Sequence, residues 1–199
     1  MFESGYYAAP AIMVLTLGIS LLGLFQVPDM IGKFLFRPYF FVRDRQWDTM
    51  IMSGFIHADM MHLAFNMITF YFFAFTLERF LGTTKFVILY FGGLIISHTC
   101  TWLKERRNPQ YASLGASGAI SAVLFCYIVY DPTTMLLVFF IPMPALLFAV
   151  LYVGYSMWAS KNANDRINHD APLCGALSGL GFVAITDPGA YSRLLSILF

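Results

Sequence analysis

Long apolar runs separated by short polar connections are the feature that most constrains this chain. A helix needs roughly 20 apolar residues to cross the hydrocarbon core of a bilayer. Six runs approach that length, and together they take up most of the 199 residues. They are Ala8 to Phe25, Met60 to Leu77, Phe86 to Leu103, Gly115 to Tyr130, Leu136 to Met157, and Ala171 to Ile185. The sequence therefore predicts an integral membrane protein with six spans.

The composition favours a helical bundle. Only 12% of the residues are charged, whereas an ordinary soluble domain carries about 25%. No series of alternating ten-residue strands, typical of a membrane barrel, is present. Because a helix satisfies its own backbone hydrogen bonds in lipid, we expect an all-α membrane protein. Without an internal repeat or a composition break, residues 1–199 are interpreted as one transmembrane domain.

Charge and cysteine usage exclude several function classes. The 12 Lys and Arg residues are spread along a chain of net charge +1, so no basic face exists that would follow a phosphate backbone. We therefore expect no nucleic-acid partner. The cysteines Cys100, Cys126 and Cys174 lie within or beside apolar runs and form no zinc-ligand spacing. They are interpreted as small hydrophobic residues, and neither a metal nor a cofactor is expected.

One connection, Gln26 to Asp59, is much longer than the others and is interrupted by Pro28 and Pro38. Long loops are usually functional or disordered. Its many aromatic residues favour a folded element at the membrane interface, where Trp and Tyr are enriched. These residues are Phe34, Phe36, Tyr39, Phe40, Phe41, Trp47 and Phe55. We expect this segment to pack beside the bundle.

The distribution of cations predicts an orientation. With six spans, the odd-numbered connections hold nine of the 12 Lys and Arg residues. The positive-inside rule then places the long first loop in the cytoplasm. Four of the nine cations belong to that long loop, where the rule is weak.

Polar side chains inside apolar runs are costly and mark candidate functional sites. His62 and Asn66 in the second run are spaced i and i+4, which puts both on one helix face. A pair of this kind, standing alone, is more often a hydrogen bond between helices. His98 in the third run is interpreted as such a partner, and His57 lies just before the second run.

Ser117 is the candidate nucleophile. It stands between small residues in Leu114-Gly115-Ala116-Ser117-Gly118-Ala119, at the start of the fourth run. Small neighbours let another backbone approach closely, and the free N–H groups of a helix N-terminus stabilise negative charge on a substrate oxygen. On its own, this pattern is more typical of packing between membrane helices than of a nucleophile.

Gly175 and Gly179 in the sixth run form a face on which another helix can pack closely. The expected neighbour is the small-residue face around Ser117, because the fourth and sixth runs begin on the same side of the membrane. This contact would bring His169, just before the sixth run, towards Ser117.

A histidine and a serine would then meet. The alternative is that Asn168 to Asp170 only cap the helix, with Pro172 in its first turn, where a missing N–H is harmless.

Three motifs in order along the chain resemble those of the rhomboid family of intramembrane serine proteases. The segment Gly54 to Met67, which contains His57, His62 and Asn66, is similar to the family's H-x-x-x-x-H-x-x-x-N. Leu77 to Gly82 is similar to its E-x-x-x-G, and Gly115 to Gly118 matches its nucleophile motif. The likeness covers nearly the whole chain, and the ordered combination is far more specific than any single piece.

The resemblance implies a six-transmembrane-helix bundle with a long first loop partly embedded in the membrane. It implies a Ser-His dyad that cleaves transmembrane segments, with Ser117 as nucleophile and His62 and Asn66 as oxyanion donors. The expected partners are membrane-protein substrates with a transmembrane helix and the lipid bilayer itself. The family's site opens to the extracytoplasmic side, opposite to the cation count. We expect a multi-pass protein of a bacterial inner membrane.

The sixth run departs from the family, which shows A-H-x-x-G-x-x-x-G there. Aligning Gly175 places Pro172 at the histidine position, and proline cannot accept a proton. His169 lies about one helical turn (~4.5 Å) further out. It is the candidate substitute base, with Asp165 or Asp170 as orienting groups.

The first loop also departs, since the family usually carries an Arg shortly after its Trp. Here Trp47 is followed by Asp48, Thr49 and Met50, and Arg43 or Arg45 are candidate replacements.

The chain is therefore either an intramembrane serine endopeptidase or a catalytically inactive rhomboid-fold protein that binds transmembrane segments without cutting them. A third function, transport, rests only on Pro142 and Pro144, which a helix kink explains equally well.

Overall fold

A computed structural model describes residues 7–138, 141–162 and 170–198. The described residues form helices joined by short loops, together with one β-hairpin. The helices are α1 (Ala8–Phe25), α2 (Asp29–Phe34), α3 (Pro38–Arg43), α4 (Thr49–Met52), α5 (Met60–Leu81), α6 (Thr83–Glu105), α7 (Ser117–Tyr130), α8 (Ala145–Asn162), α9 (Asp170–Thr186) and α10 (Gly189–Leu198). A 3-10 turn, Ser53–Phe55, follows α4, and the hairpin strands are β1 (Met135–Val138) and β2 (Ile141–Pro144).

Three helices, α1, α5 and α6, are long and apolar enough to cross a membrane. Helices α9 and α10 pass the same test as a pair bent by 111° at a short break, which gives a fourth candidate. These helices make the chain an integral membrane protein. Helix α7 has 14 residues and is shorter than a usual span, so the count of six remains a prediction.

The fifth predicted span is wrong in its first part. Instead of beginning a helix at Leu136, the chain forms an antiparallel hairpin in which Met135 pairs with Pro144, and helix α8 begins at Ala145. Pro142 and Pro144 lack the N–H that a helix interior needs and would clash with the preceding turn. A two-stranded hairpin has free edges, where proline is tolerated. The described residues are mostly helical, as expected of the predicted helical bundle, and this short hairpin is the part that the all-α prediction did not include.

Helix α7 lies at the centre of the bundle, and nearly all its side chains are buried. It packs against α5, α6 and α9, the last of these most extensively. Because its first residue is Ser117, the central packing of the bundle fixes the position of the candidate nucleophile.

A buried carboxylate from one helix holds the N-terminus of another. Glu78 near the end of α5 is 1% exposed. Its Oε1 accepts hydrogen bonds from the backbone N–H groups of Tyr7 (3.0 Å) and Ala8 (2.9 Å), and its Oε2 from that of Ala9 (2.7 Å). The hydroxyl of Thr83 donates to the same carboxylate at 2.7 Å. The N–H groups at the start of α1, which have no partner within their own helix, are thereby satisfied.

The segment from α2 to α4 is bonded to the rest of the protein at several points. Phe36 and Ser113 exchange two backbone hydrogen bonds of 2.9 Å, which joins this segment to the loop before α7. Ser53 Oγ lies 3.2 Å from His98 Nε2 on α6, so His98 makes a hydrogen bond between elements, with the 3-10 turn of this segment as its partner. The depth of the segment in a membrane stays a prediction.

Arg43, at the end of α3, ties the same segment to the end of α6. Its Nη1 donates to the carbonyl oxygens of Tyr39 (2.8 Å) and Arg106 (3.3 Å). Arg45 is exposed and has a positive φ of 56°. Of the two candidate replacements for the family's loop arginine, Arg43 therefore makes the anchoring contact.

Two of the three cysteines are not simple hydrophobic residues. Cys100 on α6 and Cys174 on α9 are disulfide-bonded, with their Cα atoms 6.6 Å apart, which corrects the sequence interpretation. The two are 74 residues apart in the chain, and only the packing of α6 against α9 brings them together. Cys126 is a free, buried cysteine, as expected of a small core residue.

Candidate active site

Ser117 is the first residue of α7, and the turn before it requires glycine. Gly115 has a φ of +107°, a conformation that side chains other than glycine rarely adopt. Its N–H donates to the carbonyl oxygen of Ser53 at 2.8 Å. The N-cap residue, Ala116, provides no side-chain hydrogen bond to the helix. Within the part of the chain that the structure describes, the first N–H groups of α7 therefore lack a capping side chain, beside a half-buried serine hydroxyl.

Helix α9 packs against α7 through the glycines that the sequence singled out. A Cβ added at Gly175 would overlap the carbonyl oxygen of Gly118, and one added at Gly179 would overlap that of Ala122. The predicted contact between the Gly175-x-x-x-Gly179 face and the small residues around Ser117 is therefore present. Backbone atoms touch directly, which only small residues allow.

Helix α6 packs against α7 on another face through small residues of its own. A Cβ added at Gly118 would overlap the Ser97 hydroxyl, and one added at Gly93 would lie 2.5 Å from the Cβ of Ala122. The first turn of α7 is thus held between α6 and α9, with little room for displacement.

The first turn of α9 lies beside the start of α7. The carbonyl oxygen of Ala171 is 3.4 Å from the position that a Cβ on Gly118 would take. Pro172 is the next residue, half-buried in the first turn of α9, where proline costs no hydrogen bond. Asp170, which begins α9, forms an ion pair with Lys104 of α6. His169 and Asp165 lie outside the described residues.

His62 lies next to the turn that carries Ser117. Its ring atoms Cε1 and Nε2 are 2.6 Å and 2.9 Å from the position of a Cβ built on Gly115. The backbone N–H of His62 donates to the side chain of Asp59 at 2.8 Å, which caps α5. The imidazole therefore covers Gly115, two residues before the candidate nucleophile.

Asn66, one turn further along α5, is 8% exposed. Its Nδ2 donates to the carbonyl oxygen of His62 at 3.0 Å. The amide carries two N–H donors, so this bond orients the side chain and leaves its second N–H for another acceptor.

His57 has a closer relation to the site than the sequence predicted. The backbone N–H of Ala116 points at His57 Nε2 over 3.5 Å, and His57 Nδ1 lies 2.9 Å from Ser20 Oγ. Ser20 Oγ also donates to the carbonyl oxygen of Phe55 at 2.9 Å. A neutral ring with its proton on Nδ1 satisfies these contacts together. The one sequence signal for these contacts is the position of His57 as the first histidine of the H-x-x-x-x-H-x-x-x-N segment.

Burial and the proximity of His62 lower the pKa of His57 to about 3, although the nearby carboxylate of Asp59 acts in the opposite direction. The His57 and His62 rings meet edge to face with centroids 4.9 Å apart. A second positive charge is unfavourable there, so His57 is neutral at neutral pH.

Known proteins match this chain over most of its length. The Rhomboid domain profile matches residues 44–188. The chain is 34% identical over 144 residues to the mitochondrial RHOMBOID-like protein 12 of Arabidopsis thaliana, covering 64% of this chain and 43% of the plant protein. It is 28% identical over 176 residues to the mitochondrial Rhomboid protein 1 of Saccharomyces cerevisiae, covering 84% and 50% of the two chains.

A third relative is a Bacillus subtilis protein that carries the name of a candidate rhomboid protease, 36% identical over 87 residues, or 44% of this chain and 43% of that protein. This chain spans half or less of the length of all three relatives. Two of the three relatives are named as mitochondrial proteins, so the relatives do not support the expectation of a bacterial inner membrane.

Proposed function

Because the chain belongs to the rhomboid family, we propose that it is an intramembrane serine endopeptidase that cleaves transmembrane segments of membrane proteins. One observation carries the proposal: Ser117 opens α7 with no capping side chain among the described residues, while the His62 ring covers Gly115, two residues before it. The proposal treats residues 1–199 as one transmembrane domain. In it α1 and α5 to α9 supply six spans, and α2 to α4 lie partly in the membrane.

The length of α7 supports a site below the membrane surface. Its 14 residues extend about 21 Å at 1.5 Å per residue, whereas the hydrocarbon core is about 30 Å thick. If Tyr130 lies at one surface, Ser117 lies roughly 9 Å below the other. Non-helical backbone at such depth is tolerated where it lines a water-filled cavity, and a cavity there would supply water for hydrolysis.

The chemistry proceeds through an acyl-enzyme. Ser117 Oγ attacks the carbonyl carbon of the scissile peptide bond while a base takes the hydroxyl proton. The resulting oxyanion accepts hydrogen bonds from the backbone N–H of Ser117, from His62 and from the free N–H of Asn66. Collapse of the tetrahedral intermediate expels the amine, which takes the proton from the base and leaves an ester on Ser117. The base then takes a proton from water, the water attacks the ester, and the proton returns to Ser117 Oγ as the acid product leaves.

The base in this proposal is His169, with Asp165 or Asp170 orienting its ring. His169 precedes α9, whose first turn lies against the start of α7. A general base must come within about 2.6–3.2 Å of the proton donor, so the proposal requires the imidazole of His169 to reach that distance from Ser117 Oγ.

The second candidate function is binding of transmembrane segments without cleavage. Pro172 favours it, because it stands where the family's histidine is expected and directly follows Ala171, whose carbonyl oxygen lies beside Gly118. In this case Ser117, His62 and Asn66 would keep the shape of the site but lack a base.

A Pro172→His variant separates the two candidates. The protein is reconstituted in liposomes with a library of single-span membrane peptides, products are identified by mass spectrometry, and Ser117→Ala is the control. If binding without cleavage is the native function, Pro172→His raises proteolysis at least about 100-fold. If His169 already serves as the base, the native protein cleaves, His169→Ala abolishes cleavage, and Pro172→His gives no such gain.

The disulfide supports an orientation with the site facing an oxidising compartment. Cys100 and Cys174 lie near the end of α6 and the start of α9, at the same end of the bundle as Ser117. Disulfides persist on oxidising sides of membranes, which agrees with the extracytoplasmic opening implied by the family and opposes the cation count. Mass spectrometry after thiol blocking tests this argument, since free thiols at both positions would remove it.

A further inference from the structure

A basic cavity lies apart from Ser117, where α3 meets the end of α6. Its volume is about 470 Å³, and its lining residues are Val42, Arg43, Trp102, Arg106 and Arg107. Three of the five carry a positive charge and none carries a negative one. Helix α6 is long and apolar enough to span the membrane, and a span of this length would place its end, and therefore the cavity, at the level of the lipid head groups.

The three arginines have no carboxylate partner among the described residues, whose ion pairs join Lys104 to Asp170 and Arg193 to Asp187. The Arg43 guanidinium uses Nη1 to bond two carbonyl oxygens and lies 4.1 Å from the centroid of the Tyr39 ring. Each guanidinium carries five N–H donors, so donors remain for an anion in the cavity.

The end of a helix explains only some of these charges. The carbonyl groups at the C-terminus of α6 attract nearby cations, which accounts for Arg106 and Arg107. Arg43 comes from α3, a different element, and brings a third positive charge to the same cavity. The guanidinium of Arg106 also lies 5.4 Å from the Trp102 ring centroid, an aromatic residue typical of the membrane interface.

Exposed aliphatic side chains adjoin the arginines. Val42 lines the cavity and is 46% exposed, and Leu103, next to Trp102, is 56% exposed. A ligand in this position would meet positive charge at its head and an apolar surface beside it. A phospholipid has this distribution of charge and apolar surface, whereas a free phosphate ion has no use for the apolar surface.

We propose that this cavity binds the phosphate group of an anionic phospholipid, with the acyl chains lying along the outer face of α6. Arg43, Arg106 and Arg107 recognise the phosphate through charge-assisted hydrogen bonds. Since Arg43 also joins α3 to α6, the bound lipid would bridge these two elements. The site requires no contribution from Ser117, so its test does not depend on proteolytic activity.

The test measures binding of a fluorescent phosphatidylglycerol to the full chain in a neutral detergent by anisotropy. Unlabelled phosphatidylglycerol, phosphatidylcholine with the same acyl chains, and inorganic phosphate are the competitors. Arg106→Gln and Arg107→Gln are the test variants, and the Arg107 side chain makes no hydrogen bond to any described residue whose loss would affect folding. Lys85→Gln, which removes an exposed cation at the opposite end of α6, is the matched control.

We expect phosphatidylglycerol to compete well and phosphatidylcholine poorly. Each arginine variant should weaken binding about fivefold, and Lys85→Gln should leave it unchanged. If Lys85→Gln weakened lipid binding equally, the lipid would be attracted by the net charge of the protein alone, and the proposed site would be wrong. Competition by inorganic phosphate as strong as that by the lipid would overturn the assignment to a phospholipid.

Discussion

The N–H groups at the N-termini of α1 and α7 differ in whether a side chain accepts them. At α1, the Glu78 carboxylate accepts the N–H groups of Tyr7, Ala8 and Ala9. At α7, no side chain among the described residues caps the helix, and the first residue is the candidate nucleophile, Ser117. Donors that serve only the fold are satisfied by a buried carboxylate, whereas donors that would stabilise an oxyanion are left for the substrate. Under the proposed function, this difference separates a structural helix end from a reactive one.

Removing the carboxylate at α1 gives the largest expected loss of stability. Glu78→Ala leaves three backbone N–H groups without their acceptor, and we expect a fall in the free energy of unfolding of about 3–5 kcal/mol. Chemical denaturation in detergent, followed by circular dichroism, measures it. Glu78→Gln, which keeps one acceptor oxygen, should lose less.

The same variant also tests whether the two ends are independent. The Glu78→Ala molecules that remain folded should keep a normal reactivity of Ser117. Reduced reactivity in the folded fraction would mean that the α1 end also shapes the site.

A methyl group at Gly175 tests the α7 end. Gly175→Ala places a Cβ against the carbonyl oxygen of Gly118, so α9 must move away, at a cost of about 1–3 kcal/mol. We expect Ser117 to lose its reactivity towards serine-hydrolase probes at the same time. Gly181→Ala on the same helix is the control, because a Cβ there meets nothing within 4 Å. Equal behaviour of the two variants would contradict the close contact of α7 and α9.

Close to pH 6, the smallest predicted effect is a pH dependence caused by His57. Its pKa is lowered to about 3 in the fold, so protonation favours the unfolded chain. Its stabilising contribution is complete above the unfolded pKa of about 6.5 and is lost as the pH falls towards 3, by up to about 1.4 kcal/mol per pH unit. Unfolding measured across this range should show a flatter profile in His57→Gln. Parallel profiles for the two proteins would argue against a buried neutral imidazole.

Local patterns predicted the part of the fold that depends on small residues. Gly175 and Gly179 indicated a close-packing helix face, and the structure pairs that face with Gly118 and Ala122. The pattern sufficed because close backbone approach requires small residues at a fixed spacing.

The sequence interpretation failed where the structure depends on residues far apart in the chain or on local rules that conflict with each other. Hydrophobic length favoured a helix from Leu136, but Pro142 and Pro144 make that segment a hairpin. The partners Cys100 and Cys174 are too distant in the chain for any spacing rule to pair them.

In the candidate site, the sequence singled out His62 and Asn66 but gave His57 a minor role. The contact of His57 with the backbone of Ala116 depends on how the segment before α5 folds against the turn before α7. Tertiary contacts of this kind have no local periodic signal.

The central claim is that the N-terminus of α7 is a reactive centre, and labelling by a fluorophosphonate probe in detergent tests it most directly. The account predicts labelling at Ser117 that disappears in Ser117→Ala and falls sharply in His169→Ala. Labelling that survives in His169→Ala would mean that another residue activates the serine. Absence of labelling in the folded native protein would contradict the claim and favour a rhomboid-fold protein that binds transmembrane segments without cutting them.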